Sequence, residues 1–525
     1  MVDTAPDYHE PRASVADWIA VAAGALGALT ATLDISITNS ALPQIQGSIG
    51  ATGTEGTWIS TGYLMSEIVM IPLAAWLTRV FGLRNFLLTN TLLFAMFSIM
   101  CGMSGTLGQM IAGRIGQGFT GGAMIPTAQT IIRSRLPRSQ MPIGMTAFGL
   151  TVLLGPLLGP VVGGWLAENI SWHWCFLVNL PVCSTLALLL LLGLPAEKPH
   201  WHDFVEADWI GIAGLSVGLS SLTVVLEEGQ REHWFDSRMI VWLTVLTAVG
   251  MALIAVSQFT AKRPVMRLSL MRNPRYASVI LIVSAVGAGL YGVSYLIPQF
   301  LGLVSGYNAE QAGDIMLISG IPSFLMMPIL PRLLGKVDFR RMVIPGLALF
   351  ATSCWMDLTV TSQSVGHDFY GSQFLRGIAQ ILAMMPLNQA SMAAVSREES
   401  GDAAGLYNMA RNLGGSVGLA LIGILIDRRE TYHTAMIRES VTANSLTAQD
   451  YLSSTAAGFF ARSGDMAYAK LQSLKLLANQ IQQQSLVMTY VDTYYWLAIA
   501  LLACIPLAFL LKTPKKAGNP MSMEH

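Results

Sequence analysis

The stretch Trp18 to Pro43, "WIAVAAGALGALTATLDISITNSALP", decides the fold, because its first sixteen residues are almost wholly apolar and its seventeenth is an aspartate. An apolar run of that length suits a bilayer core, which needs about twenty residues of helix. A carboxylate within such a run is costly and needs a reason to be there.

The pattern recurs along the chain. The 525 residues are 53% hydrophobic and 12% charged, and apolar runs bounded by charge or Pro/Gly predict spans at 15–38, 57–78, 86–104, 109–132, 141–166, 172–194, 208–227, 238–258, 275–300, 310–331, 341–361, 370–395, 403–426 and 491–512. That is an all-α integral membrane protein of fourteen spans. Lys+Arg 31 balances Asp+Glu 31, so the charge gives no reason to expect nucleic acid. The basic residues cluster in "RSRLPR", "KRPVMRLSLMRNPR", "PRLLGKVDFRR" and "KTPKK", which puts both termini in the cytoplasm by the positive-inside rule. The opening "MVDTAPDYHEPR" is polar and acidic rather than basic; the first span is expected to be a retained signal anchor, not a cleaved peptide. Cys101, Cys175, Cys183, Cys354 and Cys504 are scattered without CxxC spacing or a His cluster, a pattern that points to neither a disulfide framework nor a metal site. No GxxxxGK[ST] or HExxH is present, so neither ATP hydrolysis nor a metalloprotease is expected.

Two pairs of segments repeat at nearly the same offset: "MIPLAAWLTRVFGLRNFLL" from Met70 with "MMPILPRLLGKVDFRRMVI" from Met326, and "AMIPTAQ" from Ala123 with "AMMPLNQ" from Ala383. Two six-helix bundles separated by two extra helices produce such offsets, and parallel repeats with a central site are a transporter plan. The expected domains are a tail at 1–14, an N-terminal bundle at 15–194, the extra helices and linkers at 195–274, a C-terminal bundle at 275–512 and a tail at 513–525. Residues 427–490 break the rule that connections are short. They are polar and Gln-rich, and are expected to be helical on the outer side, either docking another protein or forming a solvated cap.

The intramembrane polar residues carry the chemistry. Asp34 and Glu67 are acids in apolar surroundings, able to take up and release a proton. The alternative for Asp34 is a helix-end hydrogen-bonding residue with neighbours such as Asn39. In "AGRIGQGFTGGAMIP", Arg114, Gln117, Gly118 and Gly121 share one helix face; the guanidinium there either biases a neighbouring carboxylate or forms a fixed strut. In "LLGPLLGPVVGGWL", Gly155, Gly159 and Gly163 recur at four-residue spacing with Pro156 and Pro160 between. Such spacing allows close helix approach and the prolines remove backbone donors, giving a hinge or plain small-residue packing. Arg411, in "NMARNLGGSVG", faces the pathway or braces the halves. Candidate cavity residues are Asn39, Tyr63, Met65, Gln117, Tyr291, Tyr295, Gln299 and Arg411, in an aromatic and Met-rich setting that suits varied apolar ligands.

At these residues the chain resembles the major facilitator superfamily, specifically its fourteen-helix drug:proton antiporters of the EmrB/QacA kind. "LDISITNSALP" resembles the family motif LDxTIVNVALP through Asp34, Asn39 and Pro43. "RIGQGFTGGA" resembles the proton-coupling motif of the fourth helix, and Gly155, Gly159, Pro160, Gly163 and Gly164 match GxxxGPxxGG, which is associated with antiport. "REHWFDS", "NMARNLGGSVG" and the long late loop look more like EmrB. The cytoplasmic gate motif GxLaDrxGrk reads "AWLTRVFGLR" here: Arg79 stands where the family usually has Asp, and Gly82 and Arg84 remain. The resemblance implies a proton-driven inner-membrane exporter of hydrophobic or amphipathic small molecules that is not an enzyme and uses the proton gradient without a cofactor. It also implies an EmrA-like periplasmic adaptor and an outer-membrane channel as partners. Export of a single metabolite or siderophore, and a non-transporting receptor or scaffold, are the alternative readings.

Overall fold

The computed structural model describes residues 12–511 apart from 138, 327, 335, 336, 397 and 443. The tails expected at 1–14 and 513–525 lie outside these residues, except for 12–14. Among the described residues every regular element is helical.

The first helix, α1 (Val15–Ile49), starts where Ser14 and Asp17 cap each other's backbone N–H groups and stops at Gly50, which takes the left-handed conformation at φ 69°. The helices that follow are α2 (Trp58–Phe81), α3 (Leu83–Gly102), α4 (Leu107–Gly121), α5 (Met124–Arg135), α6 (Met141–Asn169), α7 (Asn179–Gly193), α8 (Trp209–Glu228), α9 (Arg238–Thr260) and α10 (Pro274–Leu303). After them come α11 (Ala309–Leu317), α12 (Gly320–Met326), α13 (Leu330–Leu334), α14 (Arg340–Met356), α15 (Tyr370–Ala393), α16 (Ser400–Ser440), α17 (Leu446–Ser463) and α18 (Met466–Ala503). We call the end of the bundle at which α1 begins the near end, and the opposite one the far end.

Among the described residues, eleven helices are long and apolar enough to cross a membrane. The other three expected spans are helical too, and each falls outside that set for a local reason. The span at 109–132 is divided between α4 and α5, where Pro126 has no N–H to give the carbonyl of Gly122. The span at 310–331 is divided into α11, α12 and α13 in a segment carrying Pro322, Pro328 and Pro331. Its repeat partner α2 runs unbroken for 24 residues, so the sequence repeat does not extend to helix continuity. The span at 370–395 is one helix, α15, weighed down by Gln373, Arg376, Gln380, Asn388 and Gln389.

α1 to α7 pack mainly on one another, as do α10 to α18, with the α8–α9 pair against α2 and α16. We refer to the first two sets as the N-terminal and C-terminal groups. α8 and α9 meet glycine to glycine: a methyl on Gly250 would stand 2.3 Å from the Cα of Gly218. The outer face of α9 carries exposed Val241, Trp242, Val245, Leu246 and Val249, a surface suited to lipid.

The 427–490 segment is helical, as expected, but it is built by extension. α16 has 41 residues and α18 has 38; each is roughly 60 Å long, about twice a bilayer core. α17 lies on α18, with Thr455 Oγ1 and Ser473 Oγ 2.6 Å apart. At the base, Asp492 pairs with Arg429 at 2.5 Å and His433 at 2.7 Å.

Candidate functional site

Asp34 lies inside α1, fifteen residues before its last residue, Ile49, so the helix-end role does not apply. Asn39 is exposed and accepts a hydrogen bond from Ser60 Oγ at 2.6 Å instead.

Asp34 is fully buried and its carboxylate is bonded on both oxygens. Arg114 Nη1 of α4 donates to Oδ2 at 2.5 Å. Oδ1 accepts from Gln117 Nε2 of α4 at 3.1 Å and from Asn179 Nδ2 of α7 at 2.6 Å. Arg114 is completed by the Ile59 carbonyl at 3.3 Å, Gln117 Oε1 at 3.0 Å and the Tyr63 ring, whose centroid is 4.3 Å from the guanidinium carbon. Ser98 of α3 accepts from Gln117 Nε2 at 2.8 Å. Five helices thus converge on one ion pair. A buried pair is tolerable where further hydrogen bonds support it, as those to both carboxylate oxygens and to Arg114 Nε and Nη1 do here, and removal of either partner is then expensive. Such a network ties the position of Asp34 to how α1, α4 and α7 sit relative to one another.

The glycine motif of α6 frames this aspartate. A methyl on Gly155 would lie 2.1 Å from Thr32 Oγ1, on Gly159 2.1 Å from Ser36 Cβ, and on Gly163 2.6 Å from the Ile37 carbonyl. Gly155, Gly159 and Gly163 therefore seat α6 on α1 immediately before and after Asp34. Gly164 faces open space, with nothing within 4 Å of an added Cβ, and Pro156 is exposed. Pro160 instead contacts the C-terminal group, 3.5 Å from a methyl placed on Gly313. α6 stays helical through both prolines. Across the same site, Gly118 and Gly122 bring α4 onto the backbone of Tyr63 and Glu67 of α2.

Glu67 is 3% exposed, and its carboxylate accepts no hydrogen bond from a described residue. The cations that act on it are Arg411 and Arg114, so it sits between the two groups. Arg411 Nε and Nη2 donate to Asn412 Oδ1 at 3.3 and 3.2 Å, and Tyr291 Oη donates to the same oxygen at 3.4 Å. The remaining expected cavity residues differ in their surroundings. Tyr63 is packed beneath Arg114, Met65 is half-buried with its carbonyl bonded by Ser220, Tyr295 is 42% exposed, and Gln299 is half-buried without a side-chain hydrogen bond to a described residue.

Residues 24–419 match the family model of the Major Facilitator Superfamily. The chain belongs to that superfamily. It is 30% identical over 499 residues to the colistin resistance protein EmrB of Acinetobacter baumannii, covering 95% of this chain and 97% of the relative. It is also 30% identical to the multidrug export protein EmrB of Escherichia coli, covering 93% and 94%. The fold resembles the solved proton:xylose symporter XylE with a TM-score of 0.55, at 14% identity and over 78% of this chain and 89% of that one. The chain is thus an EmrB-like major facilitator, a multi-pass membrane transporter rather than an enzyme.

In this facilitator the unusual Arg79 forms an ion pair of reversed polarity. Its Nη1 lies 3.0 Å from Asp402 Oδ1 on α16, and Arg267 Nε lies 3.3 Å from the other oxygen of the same carboxylate. The two groups are thereby joined at the near end, reinforced by Arg133 Nη2 to the Val395 carbonyl at 3.0 Å. Gly82 takes φ 78°, and a side chain there would strike Glu197 at 2.7 Å; Glu197 accepts from the Leu83 N–H at 2.9 Å. Arg84 is half-buried. Sequence reasoning missed Asn179, Ser98, Asp402, Glu197 and a buried Arg376–Asp357 pair at 2.6 Å. Asn179 and Asp402 carried a signal, as polar residues in or beside apolar runs, but nothing local names their partners.

Proposed function

We propose that this chain is a proton-coupled antiporter that exports hydrophobic or amphipathic drugs and toxic small molecules across the bacterial inner membrane, both termini being cytoplasmic. The Asp34–Arg114 pair, buried at the meeting of five helices, carries the reading. Asp34 and Glu67 exchange protons with the two sides as the helices that carry them shift relative to Arg114 and Arg411. The bundles at 15–194 and 275–512 rock about the seam between them, with 195–274 supplying the extra pair. The names of the relatives, multidrug export and colistin resistance, support drugs as cargo. The near end is the cytoplasmic one, in keeping with the basic loops.

The α16–α18 projection then stands about 30 Å beyond the far membrane face. It displays Phe460, Tyr468, Leu471 and Leu474 to solvent. This suits docking of an EmrA-like periplasmic adaptor leading to an outer-membrane channel.

Everted vesicles containing the chain and carrying an imposed pH gradient test the reading. Addition of a hydrophobic cationic dye such as ethidium, followed by a wider panel of hydrophobic drugs, is expected to dissipate part of the gradient, read by a pH-sensitive fluorophore. A gradient that no compound disturbs overturns antiport and leaves the scaffold reading.

A further inference from the structure

The two helices between the groups look like an insertion, yet the first of them is fastened to both. α8 is docked along α2 at three levels. Near its start the Trp209 ring meets Trp76 edge-on at 6.2 Å. Midway, Ser220 Oγ donates to the Met65 carbonyl at 3.2 Å. At its end Glu228 Oε1 accepts from Thr61 Oγ1 at 2.6 Å and Thr57 Oγ1 at 3.2 Å, and the same carboxylate pairs with Arg231. By these contacts α8 moves as part of the N-terminal group.

The preceding residue faces the other way. Consecutive helical side chains diverge by about 100°, and Glu227 Oε1 accepts from Ser416 Oγ of α16 at 2.6 Å. Close by, Gln230 packs within 3.3 Å of a methyl placed on Gly423 of the same helix. Adjacent carboxylates thus reach opposite groups at the far end. Their holds are unequal: Glu228 has two hydroxyls and a guanidinium, whereas Glu227 has one neutral hydroxyl. The ionisable groups that act on or respond to Glu227 are Glu228 on its own helix and Tyr291 of α10. No described cation hydrogen-bonds it.

We propose that Glu227 is a positioning residue that clamps α8, and with it the N-terminal group, to α16 at the far end, and that its bond to Ser416 is the one that yields when the groups part there. The inference rests on the alternating movement proposed above. It gives the inserted helix a mechanical part: α8 travels with one group and grips the other through a single hydrogen bond.

Distance measurement between spin labels tests it, using the full chain in lipid nanodiscs with no drug present. Labels go on Asn169→Cys, at the far end of α6, and Glu310→Cys, at the far end of α11, in a Cys504→Ser background; both label sites are exposed, and the other four cysteines are buried. Glu227→Ala and Ser416→Ala each raise the ratio of long to short distances roughly tenfold or more, the equivalent of a lost charged hydrogen bond. Ser416→Ala removes only a hydroxyl, which guards against misfolding. The Glu227→Ala/Ser416→Ala pair adds nothing to either single change, and Glu227→Gln, whose neutral amide oxygen still accepts, shifts the ratio less than Glu227→Ala does. Unchanged distances in both single variants, or additive shifts in the double variant, overturn the clamp. A coupled shift in a chain that fails the vesicle assay would sink the export reading and leave the clamp standing.

Discussion

A single methyl at Gly159 tests the link between the glycine face of α6 and the buried aspartate of α1. In Gly159→Ala the new carbon would stand 2.1 Å from Ser36 Cβ and 3.0 Å from Ser36 backbone atoms. To reach even a tight 3.4 Å contact, the helices must separate locally by about 1.3 Å, because backbone leaves no flexible side chain to move aside. Overpacking of this kind costs roughly 1–3 kcal/mol. The displaced segment holds Asp34, two residues before Ser36, whose bonds at 2.5, 2.6 and 3.1 Å cannot follow a shift of that size. Gly164→Ala is the internal control, since that glycine meets nothing within 4 Å although it belongs to the same motif. In proteoliposomes, Gly159→Ala is expected to lower drug-driven proton exchange at least tenfold and to reduce the melting temperature by a few degrees. Gly164→Ala is expected to match the parent in both. Equal activity of the two variants would refute the claim that seating of α6 on α1 sets the geometry around Asp34.

Asp34→Asn strands a buried arginine at a cost of about 3–5 kcal/mol, so it should lower thermal stability as well as abolish drug-dependent proton release in everted vesicles. Glu67→Gln, which breaks no hydrogen bond, should impair release while leaving stability intact; if the Asp34→Asn/Glu67→Gln chain releases protons as the parent does, neither acid is a carrier. Arg79→Ala removes a pair whose arginine side chain is 37% exposed, worth about 1 kcal/mol or less, and should slow export less than Asp402→Asn, which frees Arg79 and Arg267 together. Equal export rates for these two variants would argue against the shared carboxylate as the near-end fastening. Replacing residues 435–485 by a short flexible linker should preserve membrane insertion and abolish recovery of a periplasmic adaptor in pull-downs, and undiminished recovery would remove docking from that projection.

The sequence by itself determined the membrane class and the positions of most spans, and it singled out Asp34, Arg114, Gln117 and the glycines of α6 as candidates. Those conclusions depend on apolar run length, on charge inside such runs and on spacing along one helix, all of which are properties of a short segment. Partners were another matter. Asn179 is 145 residues from Asp34, and Asp402 is 323 residues from Arg79; which polar groups meet depends on how each helix is rotated and tilted in the bundle. The same holds within the glycine motif, where Gly163 meets α1 and its neighbour Gly164 meets open space, since one residue turns a side chain by about 100°. Proline placement likewise foretold weak points, yet α6 runs through Pro156 and Pro160 unbroken while α11, α12 and α13 are separate. Neighbouring helices, not the proline alone, decide whether a helix bends, breaks or holds.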